Sequence, residues 1–116
     1  MSEASVPNRV LHKEQNTLFP VFLKLEALET LVVGGGNVAL EKLNAVFHNS
    51  PAARVKLVAA EIKPTTRQFL IEHKIPFEER PFTEVDLEGI DLVIIAINDK
   101  SVSKTIHDAC SARNIL

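Results

Sequence analysis

Cysteine is nearly missing from this chain: Cys110 stands alone among 116 residues, so no disulfide can close within the chain and no cysteine cluster can hold zinc. Trp and Tyr are absent altogether, which removes any mechanism that needs a tyrosine acid, the Tyr-x-x-x-Lys chemistry of short-chain dehydrogenases included. There is no excess of either charge. Lys plus Arg number 13 and Asp plus Glu 15, a formal net charge of -2, so the basic field that grips nucleic-acid phosphates is lacking. Long hydrophobic runs are lacking too. The longest wholly apolar stretch, Leu92 to Ile97, is far too short to span a bilayer. Residues 1–17 are polar, with no apolar core of a secretory signal, and a reducing cytoplasm is the expected setting.

What is present suits one ordinary globular domain: 46% apolar and 24% charged residues, in a length too small for two domains. Residues 1–16 read as a mobile polar leader, and the domain proper is expected over 17–116. Leu18–Leu25 reads as an extended edge segment, because Pro20 cannot donate to a ladder. Glu26–Glu29 reads as a turn or brief helical link. Thr30–Val33 is a β-branched run without alternation, as in a strand buried on both faces of a parallel sheet. From Asn37 to Asn49 the period changes: Ala39, Leu43, Val46 and Phe47 recur at helical spacing until Ser50-Pro51 ends the helix. Further strands are expected at Arg54–Ala60, Ile75–Arg80 and Asp91–Ile97, the last as the strongest central strand. Further helices are expected at Pro64–Lys74 and Asp99–Arg113, the latter with Val102, Ile106, Ala109 and Cys110 on one stripe. Alternating strands and helices predict an α/β fold: a Rossmann-like domain with a mostly parallel sheet flanked by helices.

The chemistry concentrates at Gly34-x-Gly36-x-x-Ala39, which leaves a buried strand and opens a helix. Gly34 allows the tight exit from the strand. Gly36, without a Cβ, lets a pyrophosphate approach the backbone, and Ala39 lets the helix pack closely. The N–H groups of Asn37 and Val38 then face the phosphates. Gly35 has no separate duty in this reading. A glycine turn can also be a plain strand-to-helix connection; the second half of the fingerprint separates the two. An acid is wanted roughly 20 residues on, at the end of the next strand, for the adenine ribose. Glu61 follows Ala39 by 22 residues, just past Leu57–Ala60. Arg67 is the nearest downstream arginine, so NAD is expected over NADP. No P-loop string occurs, whereas an S-adenosylmethionine site on the same βα turn stays open.

Other candidates point to structure. His12, His48, His73 and His107 are scattered, with no paired metal-ligand spacing. Cys110 reads as a buried inert thiol. Asp91 and Glu88 flank the strand end opposite to where α/β sites form, while Asn98 and Asp99 follow the favourable carboxyl end, Asp99 as a natural N-cap. Lys42 lies one turn into the first helix, facing solvent or supporting an anion.

These pieces occur in an order that resembles the siroheme synthase N-terminal domain family, the precorrin-2 dehydrogenase/sirohydrochlorin ferrochelatases. The resemblance is carried by Leu18–Leu25, by Leu31-Val32-Val33-Gly34-Gly35-Gly36-Asn37-Val38-Ala39-Leu40-Glu41-Lys42, and by Val58-Ala59-Ala60-Glu61-Ile62, where Ala60 replaces the family's proline. It continues through Arg80-Pro81-Phe82 and Leu92–Asp99, and covers about Leu18 to Leu116. It implies NAD-dependent oxidation of precorrin-2 to sirohydrochlorin in siroheme biosynthesis, with iron insertion in some members. It further implies cofactor contacts from Asn37 and Val38, from Ala60 and Glu61, and from Asn98. No catalytic or metal-binding residue of this stretch is implied. In the family the aspartate tied to catalysis, the dimerising region and the rest of the tetrapyrrole cleft follow the strand that Asn114-Ile115-Leu116 begins, so the chain is expected to be the cofactor-binding part of a longer homodimeric protein. The rival readings are an NAD(H)-sensing domain without catalysis and an S-adenosylmethionine-binding domain.

Overall fold

A computed structural model describes residues 22–116. The leader and residues 18–21, half of the Leu18–Leu25 segment, lie outside the described residues. A single 3₁₀ turn, Leu25–Ala27, leads into β1 (Glu29–Val33), α1 (Asn37–Asn49), β2 (Arg54–Ala59), α2 (Pro64–Glu72) and β3 (Phe77–Glu79). A second 3₁₀ turn, Glu84–Leu87, then precedes β4 (Leu92–Ile95) and α3 (Lys100–Ala112). All strand pairings are parallel, in the order β3-β2-β1-β4. The α/β, Rossmann-like expectation is met.

The unbroken apolar runs of β1 and β2 reflect burial on both faces. Val32, Leu57 and Ala59 point into one core with Ala39, Leu43 and Val46 of α1 and Leu70 of α2. Leu31, Val33 and Val58 point the other way, against Leu87, Ile90, Ile106 and Cys110. Burial of Leu, Ile or Val side chains at roughly 1.5–3 kcal/mol each is what opposes the chain entropy here.

Three details depart from the sequence reading: the place of β4, the end of α2 and the exposure of Val102. Leu92–Ile95 is an edge strand of the described sheet, not a central one, and its residues are half-buried. On its outer side Leu116 takes up ladder-like bonds, Val93 N to Leu116 O at 2.9 Å and Leu116 N to Asp91 O at 3.2 Å. α2 stops at Glu72 because Lys74 adopts φ 56° and Ile75 N donates back to Leu70 O at 2.9 Å. α3 stops in the same way, with Asn114 at φ 58° and Ile115 N on Cys110 O at 2.9 Å. Finally, Val102 does not share the buried stripe of α3; it is 42% exposed, whereas Ile106 and Cys110 are buried. Burial pushes the Cys110 thiol up from its ordinary value, which suits a packing residue rather than a nucleophile.

Candidate functional site

The carboxyl ends of β1, β2 and β4 open onto a cleft of about 580 Å³. It lies where the chain order reverses, between β1 and its neighbour β4, the position at which open parallel sheets take ligands. Val33, Gly34 and Gly35 form its floor, Ala59, Ala60 and Glu61 one wall, and Pro81, Phe82, Ile97, Val102, Thr105 and Ile106 the remainder. Glu61 is the one charged residue of that lining.

The three glycines are required for different reasons. Gly34 has φ 136°, and a Cβ there would stand 2.2 Å from the Ala96 carbonyl oxygen, so β4's exit crosses directly over it. Gly35, to which the sequence reading gave no duty, has one. Its missing Cβ leaves room for the Glu61 carbonyl oxygen, 2.3 Å from where that Cβ would be. Gly36 is the opposite case. Its φ is -101°, and a Cβ would meet nothing closer than Lys63 Cε at 3.9 Å. The fold leaves that slot vacant, and a backbone slot of this kind fits a pyrophosphate.

The turn is braced from α2. Lys63 N donates to Gly35 O at 2.9 Å, and the fully buried Thr66 sends its hydroxyl to Gly36 O at 3.2 Å. The intervening loop is pinned by Glu79, which accepts Ile62 N at 2.9 Å and pairs with Arg67. The Ile62 amide, then Arg67, hold the Glu79 carboxyl below its usual range. Arg67 is thus committed to Glu79 and, at 5.5 Å, to the Phe77 ring.

Of the residues expected to hold a cofactor, Gly34, Ala60 and Glu61 line the cleft. Gly36, Asn37 and Val38 stand on the adjoining helix start, outside its wall. Asn37 and Val38 are exposed, and first-turn N–H groups of a helix have no intrahelical acceptor. Asn98 is exposed between Ile97 of the lining and the cap residue, and is not itself in the lining. Asp99 is the N-cap of α3, accepting Ser101 N at 3.0 Å, Val102 N at 3.2 Å and the Ser101 hydroxyl at 2.8 Å. The Ser101 hydroxyl and the Val102 amide lower its carboxyl. Among the described residues no three His, Cys, Asp or Glu side chains gather as metal ligands.

Sequence reasoning missed the Pro81–Phe82 wall. It is carried by the turn Thr83–Leu87, where Asp86 accepts Thr83 N at 2.8 Å and takes both Arg80 terminal nitrogens, at 2.9 and 2.5 Å. Arg80-Pro81-Phe82 enters only as part of the resemblance, without a site role; the Thr83-x-x-Asp86 spacing is the local signal for the turn that carries the wall. Arg80 holds the Asp86 carboxyl below its ordinary value. Its contribution is therefore complete above the normal carboxylate range and is lost as pH falls through that lowered value. Asp86→Asn is expected to cost about 1 kcal/mol at neutral pH and to flatten the acid limb of a stability-versus-pH curve, read by chemical unfolding.

An NAD(P)-binding family model matches residues 21–116. The chain is 35% identical over 96 residues to a siroheme synthase of Methylobacillus flagellatus and 36% identical over 97 residues to that of Psychromonas ingrahamii. These alignments cover 83% and 84% of this chain and 20% of each relative. It is 29% identical over 94 residues to the precorrin-2 dehydrogenase of Bacillus subtilis, covering 81% of this chain and 57% of that protein. The chain therefore spans about a fifth of the siroheme synthases it matches. A solved structure, SirC, a precorrin-2 dehydrogenase, shares the fold with a TM-score of 0.70 at 23% identity, over 79% of this chain and 46% of that one. With the glycine turn, the switch-point cleft and this match in agreement, the chain belongs to the NAD(P)-binding family.

Proposed function

We propose that these residues hold NAD for the oxidation of precorrin-2 to sirohydrochlorin in siroheme biosynthesis, within a homodimeric cytoplasmic enzyme. The observation that carries the reading is the vacant backbone slot at Gly36 beside a cleft whose single charged lining residue is Glu61. Gly34, Gly36, Asn37 and Val38 would hold the pyrophosphate, and Ala60 and Glu61 the adenosine, with Asn98 toward the opposite end. When bound, NAD supplies the oxidant: two electrons and one proton pass from the macrocycle to it, and a second proton is released.

The protein's own part is orientation and exclusion of water. Glu61 accepts ribose hydroxyls and repels a 2′-phosphate, and the apolar wall of Phe82, Ile97, Val102 and Ile106 keeps the cleft dry. The substrate carries many carboxylates, yet the lining offers no cation and no base other than Glu61. Cofactor binding and turnover are accordingly separable here.

Calorimetric titration of a polypeptide of these residues is expected to show NAD binding tighter than NADP binding, and no binding of S-adenosylmethionine. Glu61→Gln should narrow the NAD preference by about tenfold. With precorrin-2 added, NADH absorbance is expected to stay flat, because positioned acid–base groups worth roughly 10²–10⁴-fold are not assembled in the cleft. Equal NADP affinity would remove Glu61 from the ribose, and S-adenosylmethionine binding would overturn the reading.

A further inference from the structure

Lys63 is a residue to which neither the glycine fingerprint nor the acid of β2 assigns a role. Its Cε lies 3.9 Å from the position a Gly36 Cβ would take, the only heavy atom of the described residues within 4 Å of it apart from the chain neighbours, so its side chain borders the slot that a pyrophosphate would fill. The stem is anchored at its base. Lys63 N is bonded to Gly35 O, and Thr66, within the helix Lys63 caps, is bonded to Gly36 O. None of the ion pairs among the described residues uses Lys63. The first turn of α1 carries no acidic residue, so nothing negative on that helix start neutralises the ammonium. The loop thus presents opposite charges at its two ends, Glu61 in the cleft and Lys63 over the glycine turn.

We propose that Lys63 is a phosphate-binding residue of the cofactor site, its ammonium pairing with the pyrophosphate of a dinucleotide seated on Gly36. The proposal rests on the reading of the turn as an NAD site. A flexible four-carbon stem with a compact cationic tip can swing the few ångströms needed to settle against a diphosphate seated in the slot. Division of labour follows: Glu61 sets which ribose is accepted, while Lys63 adds affinity common to every ligand with the diphosphate.

The test is titration of the full chain and of Lys63→Ala, Lys63→Gln and Lys63→Arg with NAD, NADP and ADP-ribose. Lys63 is exposed, and its backbone bond survives each change, so thermal unfolding should match the parent. Removing the charge is expected to weaken NAD, NADP and ADP-ribose alike by roughly 5- to 20-fold, as for a partly solvated charge-assisted contact. Lys63→Arg should stay within roughly 3-fold of the parent. The salt dependence of NAD binding should flatten in the Ala and Gln variants. Unchanged affinity in Lys63→Ala overturns the proposal, as does tighter binding, which would mean the side chain merely fills the slot. A loss confined to NADP would also overturn it, placing the ammonium on the 2′-phosphate. If the parent chain itself binds neither NAD nor ADP-ribose, the site reading falls and this assignment with it. Normal parental binding with an unaffected Lys63→Ala sinks the lysine assignment alone.

Discussion

Gly36→Val is expected to leave the domain folded and to abolish NAD binding. The two effects separate because of where the Cβ would go. Gly36 sits at φ -101°, a conformation open to any L-residue, and its Cβ would make only an ordinary contact with Lys63 Cε at 3.9 Å. Stability should change by less than about 1 kcal/mol, and the loss of unfolded-state freedom acts in favour of the variant. The branched side chain nevertheless occupies the space a pyrophosphate needs, and affinity should fall by about 100-fold or more. Gly36→Ala should lie between the two. Calorimetry for binding, with thermal unfolding on the same samples, decides the matter. Normal NAD affinity in Gly36→Val would place the site elsewhere.

Gly34→Ala should behave in the reverse manner, failing in stability before binding can be asked about. The added methyl would lie 2.2 Å from the Ala96 carbonyl oxygen and 2.8 Å from its carbon, at a φ of 136° that side chains avoid. Both contacts are backbone, so relief requires β1 and β4 to part. A loss of about 3 kcal/mol or more follows, lowering Tm by roughly 10–20 °C for a domain of this size. Gly35→Ala faces a similar obstacle in the Glu61 carbonyl at 2.3 Å and the Ile62 Cα at 2.8 Å. A Gly34→Ala protein with parental Tm would show that the β1–β4 crossing is looser than drawn.

Local patterns carried the fold a long way. The α1 bounds, Asn37–Asn49, are those of the periodicity and its Ser50-Pro51 stop, and Asp99 caps α3 as its side chain suggests. What escaped depends on tertiary arrangement. Leu92–Ile95 is as apolar as a central strand, yet composition cannot say which neighbours a strand has, and the order β3-β2-β1-β4 leaves it at the edge. Lys74 ends α2 in a left-handed conformation without the glycine that would announce it. Of the residues that line the candidate cleft, Gly34 and Glu61 were legible because motif spacing measures distance along βα units, and Ala60 through the family resemblance. The close packing of Gly35 and the placement of Lys63 beside Gly36 were not, because both arise from β2's loop lying against β1's turn, a contact that only the assembled sheet creates.

That same strand order shapes how the domain must assemble. β1 bonds to β2 through one helical crossover, but its other partner is much farther along the chain: Glu29 N donates to the Asp91 carboxylate at 2.9 Å across 62 positions, and Asp91 N returns to Glu29 O at 2.9 Å. The segment from β1 to β3 can gather through nearby contacts, whereas β4 must close a long loop before any pairing repays the entropy. Folding kinetics should therefore show β4 and α3 docking late, onto a preformed β1–β2 unit. The glycine turn lies against Ala96, just past β4, so the ligand cleft is completed only once β4 has docked. A nascent chain would thus have no finished nucleotide site until β4 is home, and NAD would trap the docked state rather than speed its formation.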